Sequence, residues 1–480
     1  MCMSRSLRDL RVRAASAVLS ACVIAVVVMQ ATTALAQSTI PAHLTKLRPI
    51  KCMAYDPRPS DWPVGTDDAP SQYFDSDFFN GDYTGIWGDD GQPGTRRDLE
   101  TFQDAGLNLL HLYNWNAQRT NHKTFLDAAE ARGIKVMVPI SNFTAKTIMG
   151  TCGDNCTKYG LRGYKVAFDQ IESIFKQVYF GTAPHPAAAM WGIYNEYDLN
   201  QYNPYIVAFA AQAILTLEKK YNIPEDSRLP IAVPISDAVW DAAARARLPK
   251  ELRAALELAN QQWDTLKPGK PLPGAVLATM ALSNAYANAP TTYQSLWDSM
   301  QVDAIPKTFW KNRVIAVSNP FRNGASLLNF LTDPDQFQGA WPGTTDFNSL
   351  PTLFFGEMGW SQKNSGGSLE QQASVVLDQI KVTNPLATNA STPQGYFLGS
   401  CFFQHTIVDP SQFQAFNVDP NQFATRPLPQ GTPCPACGKT YRIDVLTPLP
   451  VWNSVRKGFA SAAEDLESLS VADETALESP

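Results

Sequence analysis

Two short stretches place carboxylates directly after apolar runs. Ala189-Met-Trp-Gly-Ile-Tyr-Asn-Glu-Tyr-Asp198 sets Asn195 and Glu196 just past one run, and Leu353-Phe-Phe-Gly-Glu-Met-Gly-Trp360 does the same for Glu357. A pair of carboxyl groups across one cleft is what cleavage of a glycosidic bond requires. One protonates the leaving oxygen; the other attacks the anomeric carbon or activates water, and a separation of about 5–5.5 Å makes the reaction retaining. Either stretch alone is a weak signal. Asn-Glu occurs by chance, and the plain alternatives are a surface salt bridge for Glu196 and a helix N-terminal carboxylate for Glu357. Together they gain meaning only if the fold brings them to one place.

The elements that must do so are legible as short runs, apolar on both faces: Ile50–Tyr55, Asn108–Tyr113, Lys135–Ile140, Met190–Tyr194, Ile231–Ile235, Val314–Val317, Thr352–Phe355 and Tyr396–Phe403. Such runs are strands covered on both sides. Helical stretches lie between them: Arg96–Ala105, Asn121–Ala131 closed by Gly133, Tyr164–Tyr179, Tyr205–Tyr221 and Leu369–Val382. In the last, Leu369, Ala373, Val376 and Ile380 form one apolar stripe. Eight strands alternating with helices predict an α/β fold, a (β/α)8 barrel, with Asp237–Lys311 as a helical insertion between strands five and six. The runner-up, a doubly wound sheet, is weakened because no G-x-G-x-x-G or P-loop follows an early strand. The Pro- and Gln-rich Asp409–Thr440 reads as a long ordered loop.

In a barrel the active site forms at the C-terminal ends of the strands. Glu196 and Glu357 then follow strands four and seven and are the catalytic candidates. Aromatics at strand ends that could stack on the C–H faces of a sugar are Tyr55, Tyr113, Trp115, Tyr197, Trp360 and Phe403, with core packing as the alternative for each. Trp115 and Trp360 stand first among them because they follow strands two and seven directly. Asn114 and Asn116 are candidate hydroxyl partners or loop caps, and Asp56 and Asp198 candidate sugar ligands or turn residues. His405 is a candidate for the cleft rim, and His122 for a helix start.

At this point the chain resembles clan A of the glycoside hydrolases, the retaining (β/α)8 enzymes. The resemblance implies Glu196 as acid/base, Glu357 as nucleophile and Asn195 as partner of the sugar 2-hydroxyl. Leu110-His-Leu-Tyr-Asn-Trp115, followed by Asn121-His-Lys-Thr-Phe-Leu-Asp-Ala-Ala-Glu-Ala-Arg-Gly-Ile-Lys-Val136, is similar to family 72, the β-1,3-glucanosyltransferases, and family 17 β-1,3-glucanases share the general pattern. Phe402-Phe-Gln-His405, Gln414-Ala-Phe-Asn-Val418 and Lys51-Cys-Met-Ala-Tyr55 also resemble family 72, so the likeness runs as islands across Ile50–Val418. Two positions depart from it. The family's strand-two Arg is here His111, which could itself donate to the nucleophile. In place of its strand-six Tyr, which bonds the nucleophile, the chain offers Asn319 and Phe321, and Phe cannot donate to a carboxylate.

The rest of the chain bounds this reading. It has 480 residues, 44% hydrophobic, 18% charged, with 39 Lys+Arg against 45 Asp+Glu. That is ample for a core, and the acidic balance argues against a nucleic-acid partner. Arg5, Arg8, Arg11 and Arg13, then apolar Ala14–Val28, then Ala34-Leu-Ala36, have the layout of a secretory signal over 1–36, with an uncleaved anchor helix as the alternative. Residues 37–460 are expected to form the catalytic barrel and Ser461–Pro480 an acidic mobile tail. The product would be secreted or periplasmic, free of the membrane after cleavage, and monomeric.

Six cysteines remain after the signal. Cys152/Cys156 and Cys434/Cys437 suggest local disulfides in an oxidising compartment, with a zinc site as the alternative. Asn142-Phe-Thr, Asn155-Cys-Thr and Asn389-Ala-Ser are glycosylation sequons. The expected activity is a retaining glycosidase or transglycosylase on β-glucan polysaccharides or oligosaccharides, β-1,3-linked by preference, with no cofactor or metal. A β-mannanase or cellulase, and a non-catalytic carbohydrate-binding barrel, are the competing readings.

Overall fold

The computed structural model describes residues 42–62, 77–117, 121–149, 160–196, 204–236, 313–332, 352–388, 397–406, 412–429 and 439–460. The leader over 1–36, the insertion Asp237–Lys311, Tyr197, Asp198, the tail and the cysteines at 152, 156, 434 and 437 lie outside them.

Eight strands form one closed parallel barrel: β1 (Ile50–Ala54), β2 (Leu109–His111), β3 (Lys135–Ile140), β4 (Ala188–Ile193), β5 (Ile231–Ser236), β6 (Val314–Asn319), β7 (Thr352–Met358) and β8 (Phe397–Phe402). Each pairs with its neighbour in sequence, and β1 pairs with β8 to close the ring. All eight coincide with the apolar runs read from the sequence. The reason is burial: β4, β7 and β8 are buried at every position, so none alternates in polarity. One apolar cluster draws on all eight strands, among them Cys52, Leu109, Met137, Met190, Ala232 and Phe354, and fills the barrel. A larger cluster packs the helices against its outside.

Among the described residues the α-helices of seven or more residues are α1 (Asp98–Asp104), α2 (Lys123–Ala131), α3 (Asn142–Met149), α4 (Gly160–Val178), α5 (Pro204–Lys220), α6 (Gly324–Thr332), α7 (Leu369–Thr388) and α8 (Pro450–Ala460). The Asn121 side chain accepts from the Lys123 N–H at the start of α2 (2.8 Å), and Gly133 follows its end with φ +69°, as the sequence signals require. Helix α7 buries Ala373, Val376 and Ile380. It runs six residues past the predicted end, through Pro385, because Arg48 donates to the carbonyls of Ala387 (2.8 Å) and Leu386 (3.2 Å) in its last turn.

One expectation is corrected. The stretch read as a long ordered loop contains strand β9 (Phe416–Pro427), which pairs antiparallel with β10 (Thr440–Pro448). Its proline-rich composition hid a strand because Pro420 falls in a register shift between Val418 and Phe423, where no ladder bond is needed. The ribbon is tied to the loop after β1: Asp444 accepts from Ser60 (2.5 and 2.9 Å) and Asp90 from Arg426 (2.6 Å). The described disulfide is Cys52–Cys401, between β1 and β8, a pairing across 349 residues that barrel closure brings into register.

Gly399 sits at that seam with φ +139°, and a Cβ there would lie 2.1 Å from the Ile50 carbonyl oxygen. Gly399→Ala is therefore expected to cost about 2 kcal/mol or more, read as a lower urea midpoint. An unchanged midpoint would contradict this account of the seam.

Candidate active site

A cavity of about 310 Å³ opens at the C-terminal ends of the strands. Glu357, near the end of β7, faces it and is only 4% exposed. Two donors converge on its Oε1: the Tyr113 hydroxyl (2.8 Å) and Asn195 Nδ2 (3.0 Å). Burial, and then the Glu357 charge, push the Tyr113 phenol well above its usual range, so it stays protonated and donates. Glu196 lines the same cavity, and its Oε1 accepts from Asn319 Nδ2 at the end of β6 (3.1 Å). The same Nδ2 lies 3.3 Å from Asn195 Oδ1.

Local backbone makes this possible. Tyr194 and Glu196 both have φ of +50°, a region unfavourable to side chains with a Cβ. Asn142 holds the strained turn: its Nδ2 donates to the Asn195 carbonyl (2.9 Å), and its Oδ1 accepts from the Asn195 N–H (2.8 Å). Both ends of that amide are engaged, which argues against Asn142 as a glycosylation site. Gly356 precedes Glu357, and a Cβ there would lie 2.4 Å from Val317 and 2.9 Å from Asn319 Oδ1. A side chain at 356 would therefore crowd the Val317 and Asn319 side chains of β6.

His111 lines the cavity but does not reach the carboxylate. Its Nδ1 lies 3.0 Å from the Gly356 carbonyl, which accepts only, so Nδ1 carries the proton. Burial lowers its pKa to about 4, and the ring is neutral at ordinary pH. The donor expected of strand six or of His111 is instead Tyr113, two residues past His111 and so on the same face of an extended strand.

Three aromatic expectations fail. Trp115 is fully buried, stacked on His122 (4.1 Å between centroids) and donating to Gln177 (3.2 Å). Tyr55 is fully buried too, its hydroxyl bonded to Asp98 (2.7 Å), which Arg96 also engages. Trp360 is half-buried against the core near α7 and does not line the cavity. An aromatic following a strand is equally suited to the core outside the barrel, and its type does not say which. Phe403, packed against Phe413 and Phe321 (5.5 and 5.7 Å), lines the cavity together with Phe143, Tyr113 and Tyr194. Asn114 and Asp56 line the cavity, Asp56 paired with Arg58 (2.9 Å), whereas buried Asn116 does not. Nothing in the sequence reading assigns Asn142 or Arg58 to the cavity; they stand two residues past β3 and four past β1, and that position is the available signal.

His405 is not at the rim. It is buried among Tyr55, Phe102 and Phe416, at 5.3, 4.9 and 5.0 Å, and both ring nitrogens lack a hydrogen-bond partner. His122 does stand at a helix start, and also bonds Asp77 (2.7 Å).

No protein-family model matches the chain, and no curated protein matches it. Among solved structures it is similar to a mutant of Gas2p of Saccharomyces cerevisiae in complex with laminaritetraose and laminaripentaose. That match has 12% identity over 76% of this chain and 58% of the other, with a TM-score of 0.39. Gas2p in complex with laminaripentaose matches at 13% identity over the same shares, with a TM-score of 0.39. ScGas2 in complex with compound 6 matches at 14% over 86% and 65%, with a TM-score of 0.41. The chain spans roughly three fifths of the length of those proteins. Its barrel is assigned from its own strand pairing.

Burial lowers the pKa of His405 to about 4, like that of His111, whereas in the unfolded chain both imidazoles protonate near 6.5. Between those values the unfolded chain binds more protons, so stability falls as pH drops from about 6.5 towards 4. His405→Phe is expected to flatten the slope of unfolding free energy against pH in that window by up to one proton, about 1.4 kcal/mol per pH unit. An unchanged slope would contradict the burial of a neutral His405.

Proposed function

We propose that the chain is a retaining glycoside hydrolase or transglycosylase acting on β-glucan. The observation that carries this reading is the convergence of Tyr113 and Asn195 on the buried Glu357 carboxylate, with Glu196 in the same cavity. A carboxylate so held keeps one oxygen engaged and presents a defined face to an incoming sugar. The preference for β-1,3-linked glucan rests on the sequence resemblance to family 72.

In the first step Glu357 attacks the anomeric carbon and the bond to the leaving sugar breaks. The leaving oxygen takes the proton of Glu196, and a glycosyl ester forms on Glu357. In the second step water, or a hydroxyl of another glucan, gives its proton to Glu196 and attacks the same carbon, releasing Glu357. Hydrolysis and transfer share the intermediate and differ only in the acceptor. Tyr113 and Asn195 donate to Glu357 while it is ionised, and the C–H face of a sugar can pack on Phe403. A two-carboxylate mechanism of this kind calls on no cofactor. The leader pattern and the Cys52–Cys401 disulfide support export. No helix among the described residues is long and apolar enough to cross a membrane.

The test is incubation with β-1,3-glucan oligosaccharides, with products followed by mass spectrometry. Products longer than the substrate mark a transglycosylase, and shorter products alone a hydrolase. Binding without any product, here and on a panel of other β-glycans, would replace the reading with a carbohydrate-binding barrel. Glu196→Gln is expected to lower kcat/KM on oligosaccharide by about 100-fold or more, and Glu357→Gln to leave almost no turnover, both with an unchanged circular dichroism spectrum. Full activity in either variant would refute its role.

A further inference from the structure

The amide of Asn319 is fully buried, and its polarity is fixed by what surrounds it. Asn195 Nδ2 donates to Glu357, so Asn195 Oδ1 is the acceptor end of that amide. The Asn319 atom facing both Asn195 Oδ1 (3.3 Å) and Glu196 Oε1 (3.1 Å) must then be the nitrogen. Turning the amide over would set one carbonyl oxygen against another. The cost of this orientation is visible: Asn319 Oδ1 is buried with no hydrogen-bond partner. A hydrogen-bond chain therefore runs from Glu357 Oε1 through Asn195 and Asn319 to Glu196 Oε1, every link with a defined direction.

That direction has a chemical consequence for an acid. In a neutral carboxyl group the carbonyl oxygen is the better acceptor, and the other oxygen carries the proton. An N–H that donates to Oε1 makes Oε1 the carbonyl oxygen. We propose that Asn319 is a positioning residue that keeps the Glu196 proton on Oε2 and so selects the oxygen that protonates the leaving group. This rests on the roles given above to Glu196 and Glu357. When the glycosidic C–O bond breaks, the Oε2 proton passes to the leaving oxygen and Glu196 becomes a carboxylate. In the second step the proton of water or of the acceptor hydroxyl returns to Oε2. Strand six, where the resembling families place a Tyr for the nucleophile, here serves the acid instead.

The discriminating experiment varies how much the leaving group needs a proton. A dinitrophenyl β-glucoside leaves as a stable anion without acid assistance, whereas a glucan oligosaccharide does not. Asn319→Ala is expected to lower kcat on the oligosaccharide by about 100-fold with KM nearly unchanged, and kcat/KM on the dinitrophenyl glycoside by less than about fivefold. Asn319→Asp keeps the shape and, ionised, has no donor. It should show the same split, and it stands in if the alanine variant does not fold. Equal losses on both substrates in a folded variant, or a loss confined to KM, would overturn the proposal. Absence of turnover of either substrate by the unaltered chain would overturn the reading of the site and the proposal with it.

Discussion

The Glu357 carboxylate is nearly excluded from water, and a charge in that position must be held by donors. Tyr113 and Asn195 meet this need from β2 and from the end of β4. In the ring order both strands lie three places from β7, one on each side. The contact therefore spans the mouth of the barrel and exists only when the ring is closed. Closure in turn depends on the β1–β8 seam, where Gly399 leaves room for the Ile50 backbone and Cys52 lies opposite Cys401. The chemistry at one end and the packing of the interior are thus parts of one constraint.

Strain and its support are placed close to that contact. Two residues with positive φ bracket Asn195, and the Asn142 amide holds the backbone between them. Gly356 allows β6 and β7 to approach, and His111 bonds the Gly356 carbonyl as a neutral ring. Each of these residues touches the backbone beside a carboxylate-bearing residue or limits the space around it. Their shared effect is to leave the two carboxyl groups little freedom of direction, which is what pre-organisation of a site means physically.

The strands were legible because both of their faces are buried, so each appears as an uninterrupted apolar run whatever its neighbours are. That Glu196 and Glu357 line one cavity was legible because strand ends in a barrel share one rim. Side-chain destinations were not. Tyr113 and Trp115 stand two and four residues past β2, yet Trp115 packs on His122 while Tyr113 reaches Glu357. The choice is made by register and by the helices outside, which no local pattern encodes. The Cys52–Cys401 pair is distant in sequence and adjacent only through closure, so spacing could not select it. The β9 strand was hidden because a two-stranded ribbon tolerates proline at a bulge. Asn319 was noticed for what it lacked, a phenol, and its donation to Glu196 depends on a neighbour 123 residues away.

In the proposed reaction Glu357 forms the covalent bond to the sugar. A 2-deoxy-2-fluoro β-glucosyl donor with a good leaving group slows release of such an intermediate, and mass spectrometry of the digested protein locates it. One added glycosyl unit is expected on the peptide that contains Glu357. A glycosyl unit on Glu196, or no adduct from a chain that turns over the unfluorinated donor, would contradict it.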